Sequence, residues 1–137
     1  MILQLKKIKK SIMKLKTFLI INAILSCALG LSSLLMPKQV MILYGFQVNP
    51  AIILLAQYSA LGSIVLGLVP WFSRNIELAQ ARKTIIPVLL ISNVIGVIIT
   101  VLSVVSGTMK LGILTALLYS VFAAGYAWFQ FFKTKTN

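Results

Sequence analysis

The stretch that decides the fold is residues 84–105, TIIPVLLISNVIGVIITVLSVV, which contains no charged side chain in 22 residues. A helix needs about 20 residues to cross the hydrocarbon core of a bilayer. Hydrocarbon contains no water to hydrogen-bond an open backbone, so a segment that crosses it is expected to be helical. Thr84–Val105 is therefore predicted to be a transmembrane helix.

Three further stretches of similar length also lack charged side chains: Thr17–Met36, Ala51–Phe72 and Leu111–Phe132. The whole 137-residue chain agrees with them, because 60% of its residues are hydrophobic and its mean hydropathy is +1.04. A short soluble chain has too little interior to bury so much apolar surface. The sequence predicts an all-α integral membrane four-helix bundle over residues 17–132, with a basic amphipathic segment at 1–16 and a short basic tail at 133–137.

Charged and metal-binding side chains are too few for most active sites. The chain has one acidic residue, Glu77, one cysteine, Cys27, and no histidine. Paired carboxylates, Ser-His or Cys-His pairs, zinc ligand sets and Cys-x-x-Cys redox pairs are thereby excluded. We expect a protein that is not an enzyme, with no catalytic residue, cofactor or metal site. Proton-coupled export is disfavoured too, because no span contains a carboxylate.

The basic residues predict how the chain is oriented. Eleven Lys and Arg residues lie before span one, between spans two and three, and after span four, whereas only Lys38 and Lys110 lie at the other helix ends. Positive residues near helix ends stay on the cytoplasmic side. We therefore expect a multi-pass protein of the bacterial cytoplasmic membrane with both termini cytoplasmic. Trp71 and Trp128 would then lie at the inner interface, which indole rings prefer.

The amino-terminal segment has its own helical pattern. Leu5, Ile8, Ile12 and Leu15 are spaced three and four residues apart, which predicts an amphipathic helix that lies on the inner leaflet and runs into span one. Anionic lipids are the expected partner, and nucleic acid is not, because the basic residues flank apolar spans. The alternative is that the lysines only set the topology. The candidate lipid contacts are Lys6, Lys7, Lys9, Lys10, Lys14 and Lys16.

The first span also faintly resembles a signal sequence. Ile24-Leu25-Ser26-Cys27 has the outline of a lipoprotein cleavage site. However, the apolar run continues past Cys27 to Met36, which is longer than a signal core. We therefore expect span one to be retained in the mature protein.

Each span carries a stripe of small or weakly polar residues spaced three or four apart, so each stripe lies along one helix face. In lipid, helices associate where small residues let their backbones approach closely. The stripes predict a compact bundle with Leu, Ile, Val and Phe facing lipid; homodimer contacts are the alternative for any one stripe. The stripes are Asn22, Ser26, Gly30 and Ser33; Ala56, Ala60, Ser63 and Gly67; Ser92, Gly96, Thr100 and Ser103; and Gly112, Ala116, Ser120, Ala124 and Ala127.

Five larger polar side chains lie inside the predicted spans: Asn22, Gln57, Tyr58, Asn93 and Tyr119. A polar group that faces lipid is costly, so all five are expected to point inward and to find partners. Counting about 1.5 Å per residue from the helix ends places Asn93 and Tyr119 near the midplane. We expect these two to form an interhelical hydrogen bond. The alternative is that they form the polar floor of a pocket for a lipid or a small molecule.

Local signals also define the loops. Asn49-Pro50 predicts a helix start, with the Asn49 side chain as its cap. Residues 40–44 are predicted to form a short interfacial helix that is broken at Gly45. Arg74 and Glu77 are three residues apart, which is a spacing that allows an ion pair on a helical turn.

Several glycine and apolar positions carry a resemblance to a known group. They are Pro37…Leu43-Tyr44-Gly45, Ala60-Leu61-Gly62…Gly67…Trp71-Phe72-Ser73-Arg74 and Asn93…Gly96. Over residues 17–132 this pattern resembles small bacterial membrane proteins of the broadly DoxX-like, four-helix kind. The resemblance implies a four-helix inner-membrane protein, and it implies no site residue.

Two functions remain open from the sequence. The first is a non-enzymatic membrane protein that acts through helix–helix or lipid contacts, as a subunit, as a homo-oligomer or as a small membrane factor. The alternative is a small transporter or a lipid- or small-molecule-binding membrane protein that does not couple to protons through an intramembrane carboxylate.

Overall fold

The computed structural model describes residues 1–132, without the side chains of residues 7–13. The side chains of Lys7, Lys9 and Lys10 and the basic tail 133–137 therefore lie outside the described residues. No strand is present in residues 1–132. The helices are α1 (Ile2–Leu35), α2 (Pro37–Tyr44), α3 (Pro50–Phe72), α4 (Leu78–Lys83), α5 (Ile85–Val105) and α6 (Gly112–Ala127), and a π-helical turn at Trp128–Phe132 continues α6.

Four helices are long and apolar enough to cross a membrane: Lys14–Leu35, Pro50–Phe72, Ile85–Val105 and Gly112–Phe132. These confirm the four predicted spans, and no end moves by more than three residues. The length that hydrocarbon imposes on a crossing helix is the physical reason for this agreement. The chain is thus a helical multi-pass membrane protein.

The predicted loop signals are also present. The Asn49 side chain accepts a hydrogen bond of 2.9 Å from the backbone N–H of Ile52 and so caps α3. Gly45 ends α2 with a φ of 90°, a left-handed conformation that favours glycine. A Cβ at Gly45 would also lie 2.8 Å from the Lys110 side chain, so the α2 turn packs closely on the connection between α5 and α6.

The helix α1 is unbroken from Ile2 to Leu35, and this changes the interpretation of the amino-terminal segment. Leu15 is 1% exposed and belongs to the protein core, whereas Leu5 is 57% exposed. The predicted apolar face of the amino-terminal segment therefore does not lie in one environment, because Leu15 packs inside the bundle and Leu5 is exposed. The part of α1 that is long and apolar enough to cross a membrane begins at Lys14, three residues before the predicted start at Thr17. The side chains of Ile8 and Ile12 lie outside the described residues.

The helices α1 and α3 form one closely packed pair. A Cβ on Gly67 would lie 2.9 Å from the Cys27 backbone nitrogen and 3.0 Å from the Ala23 carbonyl oxygen. A Cβ on Gly30 would meet the backbone of Ala60 and Ile64 at similar distances. Only glycine permits such close approach of two helix backbones, so the stripes of the first two spans do pack within the molecule.

The helices α5 and α6 form the second pair. Gly96 lies under the ring of Tyr119, where a Cβ would come within 2.8 Å of ring carbon Cδ1. Gly112 faces the side chain of Val104 in the same way, at 2.7 Å. In this pair, the glycines make room for side chains of the partner helix rather than for its backbone.

The two pairs meet through large side chains. The ring of Phe18 on α1 lies 5.5 Å from Phe122, 5.0 Å from Tyr126 and 5.6 Å from Phe129 by centroid distance. Gly125 faces the same Phe18 ring. Leu15, Leu19, Ile86 and Leu89 complete this buried cluster.

The stripe predicted on span four is only partly correct. Gly112 and Ala116 are buried, but Ser120 and Ala124 are exposed. The inner face of α6 carries Phe122, Tyr126 and Phe129 instead, so the expectation that phenylalanines face lipid is wrong for Phe122 and Phe129. The reason is that α6 meets α1 through aromatic rings, which need room and not close backbone approach.

Candidate functional site

A polar cavity lies where all four spanning helices meet. Its volume is about 40 Å³. Leucines and Phe122 form its apolar wall, and six polar side chains face it. These are Asn22 and Ser26 from α1, Ser63 from α3, Asn93 from α5, and Thr115 and Tyr119 from α6.

Asn22 joins the two helix pairs at the edge of this cavity. It is 3% exposed, its amide Nδ2 donates to the hydroxyl oxygen of Tyr126, and its Oδ1 accepts from Ser26 at 3.0 Å. Tyr126 is fully buried. The Ser26–Asn22–Tyr126 network therefore ties α1 to α6 with both amide groups satisfied, as a buried amide requires.

Asn93 and Tyr119 both face the cavity, but the expected hydrogen bond between them is not present among the described residues. The Asn93 amide Nδ2 instead donates to the Leu89 carbonyl oxygen of its own helix at 2.7 Å. This local bond from i to i−4 competes with any interhelical partner. Tyr119 packs its ring on Gly96, one turn further along α5.

Tyr58 and Gln57 lie away from this cavity. Tyr58 is 67% exposed, so the expectation that it points inward is wrong. Ala56 and Ala60 are the buried residues of this part of α3, and a residue two positions from each lies on the opposite side of a helix. Gln57 is half-buried, and it does not line the cavity.

The helix α2 contacts one of the residues that line the cavity. The Tyr44 hydroxyl and the Thr115 hydroxyl are 3.2 Å apart, and Thr115 lines the cavity. The Lys110 backbone N–H also donates to the Tyr44 carbonyl oxygen at 2.9 Å. These two bonds fix the short helix to the start of α6.

The sequence analysis missed Tyr126, Ser26, Ser63, Thr115 and Tyr44 as cavity or network residues. One signal for Tyr126 was present, because Tyr119 and Tyr126 are seven residues apart and so share a helix face. The hydroxyl residues gave no such signal, since Ser and Thr in membrane helices usually bond to their own backbone.

The opposite end of the bundle carries the basic residues, and we call it the basic end. It comprises residues 14–16, 73–84 and 128–132. Lys6, Lys14 and Lys16 are exposed. The ion pair that the spacing of Arg74 and Glu77 allows is not present among the described residues. Arg74 Nη1 instead donates to the Trp71 carbonyl oxygen at 2.6 Å, and the guanidinium lies 4.4 Å from the centroid of the Trp71 ring.

The cavity has the dimensions of a water site. One water molecule occupies about 30 Å³ in the liquid and needs two to four polar partners. Pockets for drug-sized ligands are typically about 300 Å³ or larger. Tyr119 is the one ionisable side chain among the described lining residues. No group of three His, Cys, Asp or Glu residues that could hold a metal ion is present in the described part of the chain.

Comparisons of the chain with family models, with curated proteins and with solved structures found no match.

Proposed function

We propose that this chain is a non-enzymatic protein of the bacterial cytoplasmic membrane that acts through contacts of its helices with lipid or with partner helices. Both termini are on the cytoplasmic side in this proposal, so that the basic end faces the anionic inner leaflet. Lys6, Lys14 and Lys16, together with Lys7, Lys9 and Lys10, then lie near lipid headgroups. Attraction to such headgroups is about 1 kcal/mol for each basic residue.

One observation carries this proposal. Among the described residues, polar groups inside the spans bond one another or their own helix backbone, as Asn22 does with Tyr126 and Asn93 with the Leu89 carbonyl. The cavity between the helices is only about 40 Å³, and the outward surface of the spans is largely apolar. A protein that acts through contacts of its outer helix surface with lipid or partner helices does not need a large internal binding site. The resemblance to DoxX-like proteins implies a four-helix inner-membrane protein as well, and this architecture is part of the proposal.

The second candidate is passage or binding of a very small polar solute. The observation that favours it is that all four spans contribute a polar side chain to one shared cavity. No carboxylate lines this cavity, so proton coupling through such a group is not part of this candidate. Homo-oligomer formation fits either candidate.

Reconstitution into liposomes separates the two. Stopped-flow light scattering after an osmotic step measures the permeability of the membrane to water and to glycerol. The proposed function predicts the same permeability as protein-free liposomes. A raised permeability that falls to the protein-free value in Ser63→Leu, which fills the cavity, would overturn the proposal in favour of the second candidate.

A matched control for this experiment is Ser59→Leu. Ser59 is one turn from Ser63 on the same helix, it is exposed, and it does not line the cavity. A loss of permeability in both variants would indicate damage to the fold rather than a filled cavity.

A further inference from the structure

Arg82 is a partly buried cation, and one of its guanidinium nitrogens has no hydrogen-bond partner in the described part of the chain. Its Nε donates to the Phe129 carbonyl oxygen in the π-helical turn at 2.7 Å. Its Nη2 is buried and has no hydrogen-bond partner in the described part of the chain. Leaving a charged donor unpaired away from water costs much more than leaving a neutral one unpaired.

No carboxylate side chain among residues 1–132 bonds Arg82. Glu77 is the only acidic residue of the chain, and it is exposed. The other charged side chains of the basic end are mostly of the same sign as Arg82, because Lys14, Lys16, Arg74 and Lys83 belong to it. Their combined positive potential attracts an anion from outside the protein.

The position of Arg82 indicates which anion this is. It lies at the end of a spanning bundle, beside the turn that carries Trp128 and Phe132. These two rings stack at 5.2 Å, and both are more than half exposed, as expected of side chains at the boundary between acyl chains and headgroups. A phosphate at this level of the membrane belongs to a phospholipid.

We infer that Arg82 binds the phosphate group of an anionic phospholipid at the basic end. A guanidinium presents several N–H groups to phosphate oxygens. The Nη2 N–H groups have no partner in the described part of the chain, so they can bond a phosphate oxygen while Nε keeps its bond to the Phe129 carbonyl. The inference deepens the proposed function and rests on it for the orientation that places Arg82 in the anionic leaflet.

Native mass spectrometry of the full chain in detergent tests this site. The protein is titrated with dioleoyl phosphatidylglycerol or with dioleoyl phosphatidylcholine. We expect one phosphatidylglycerol to bind at least about tenfold more tightly than phosphatidylcholine, and Arg82→Gln to remove most of this preference. Arg82→Lys keeps the charge but loses the forked N–H geometry of the guanidinium. We expect its phosphatidylglycerol preference to lie between those of the wild-type protein and Arg82→Gln, and this variant provides the test if Arg82→Gln does not fold.

Arg74→Gln is the matched control. It removes the same charge from the same end, but the Arg74 guanidinium already bonds the Trp71 carbonyl and covers the Trp71 ring. We expect its phosphatidylglycerol preference to stay within about twofold of the wild-type value, because Arg74 has no buried N–H group that lacks a partner in the described part of the chain. Equal losses in Arg74→Gln and Arg82→Gln would overturn the inference, since the effect would then be one of bulk charge.

Two further arms exclude other acceptors. Gln130 Oε1 is also buried without a partner in the described part of the chain, so Gln130→Leu asks whether this amide, rather than Arg82, holds the lipid headgroup. We expect Gln130→Leu to keep the lipid preference, and a loss as large as that of Arg82→Gln would overturn the assignment to Arg82. Inorganic phosphate, added alone, is expected not to bind; binding of free phosphate without a lipid preference would assign the site to a soluble anion and overturn the lipid assignment.

The outcome is separate from that of the permeability experiment. Lipid preference at Arg82 can fail while the liposomes stay impermeable, and the reverse can also occur. Each result therefore bears on its own proposal.

Discussion

The contact between α1 and α3 and the contact between α1 and α6 are built from different side chains. Gly30 and Gly67 bring the backbones of α1 and α3 together, whereas Phe18 and Tyr126 fill the space between α1 and α6. The first contact depends on the absence of side chains, and the second depends on their size and on one polar network. The difference teaches that a membrane bundle of this size can combine a rigid, close pair with a wider seam that holds a polar cavity.

The largest expected effect tests the close pair. Gly67→Ala places a Cβ 2.9 Å from the backbone nitrogen of Cys27 and 3.0 Å from the carbonyl oxygen of Ala23, so the two helices must separate. We expect the free energy of unfolding to fall by about 2 kcal/mol. Reversible unfolding in mixed detergent micelles, followed by circular dichroism, measures it.

Gly62→Ala is the control for this substitution. Gly62 lies on the same helix, and a Cβ there would meet nothing within 4 Å. Its stability is expected to be unchanged or slightly raised, because alanine favours helix. If Gly67→Ala and Gly62→Ala have the same stability, the close approach of α1 and α3 is wrong.

A smaller effect tests the seam between the pairs. Tyr126→Phe removes the hydroxyl that accepts from the Asn22 amide and leaves that amide short of a partner. We expect a loss of about 1 kcal/mol in the free energy of unfolding, the usual size of such a bond in membranes. Tyr58→Phe, on an exposed tyrosine, is expected to change nothing measurable.

A double-mutant cycle of Tyr126→Phe with Asn22→Leu isolates the bond itself. The two losses are expected to be less than additive, because each substitution removes the same interaction. Additive losses would show that Asn22 and Tyr126 do not interact across the seam.

The smallest effect concerns Asn93. Its amide bonds the Leu89 carbonyl of its own helix, so Asn93→Leu removes no interhelical bond. We expect the free energy of unfolding to change by no more than about 0.5 kcal/mol. A loss as large as that of Asn22→Leu would mean that Asn93 does hold α5 to another helix, as the sequence had predicted.

These cases show what the sequence could predict. The four spans followed from the thickness of hydrocarbon, and α2 with its end at Gly45 followed from local turn chemistry. Asn93 and Tyr119, which the sequence placed at a similar depth, both line the cavity.

The partners of the polar groups could not be predicted in the same way. A pairing depends on how each helix is rotated and on which helices are neighbours, and the sequence of one span carries neither. The sequence could match polar residues only by their distance from the helix ends. In the structure Asn22 bonds Tyr126, and Tyr58 lies on the outer face of α3. On α6 the small residues Gly112 and Ala116 form the first part of the inner face, and aromatic residues packed on Phe18 form the rest.

The central claim of the proposal is that the chain crosses the membrane four times and that both termini and the basic end lie on the cytoplasmic side. Single cysteines at Gln4, Gln47, Glu77 and Thr108, in a Cys27→Ala background, test it by labelling intact cells with a membrane-impermeant maleimide. The account predicts labelling at positions 47 and 108, and labelling at positions 4 and 77 only after the membrane is permeabilised. Equal labelling of positions 4 and 47, or of positions 77 and 108, in intact cells would contradict it.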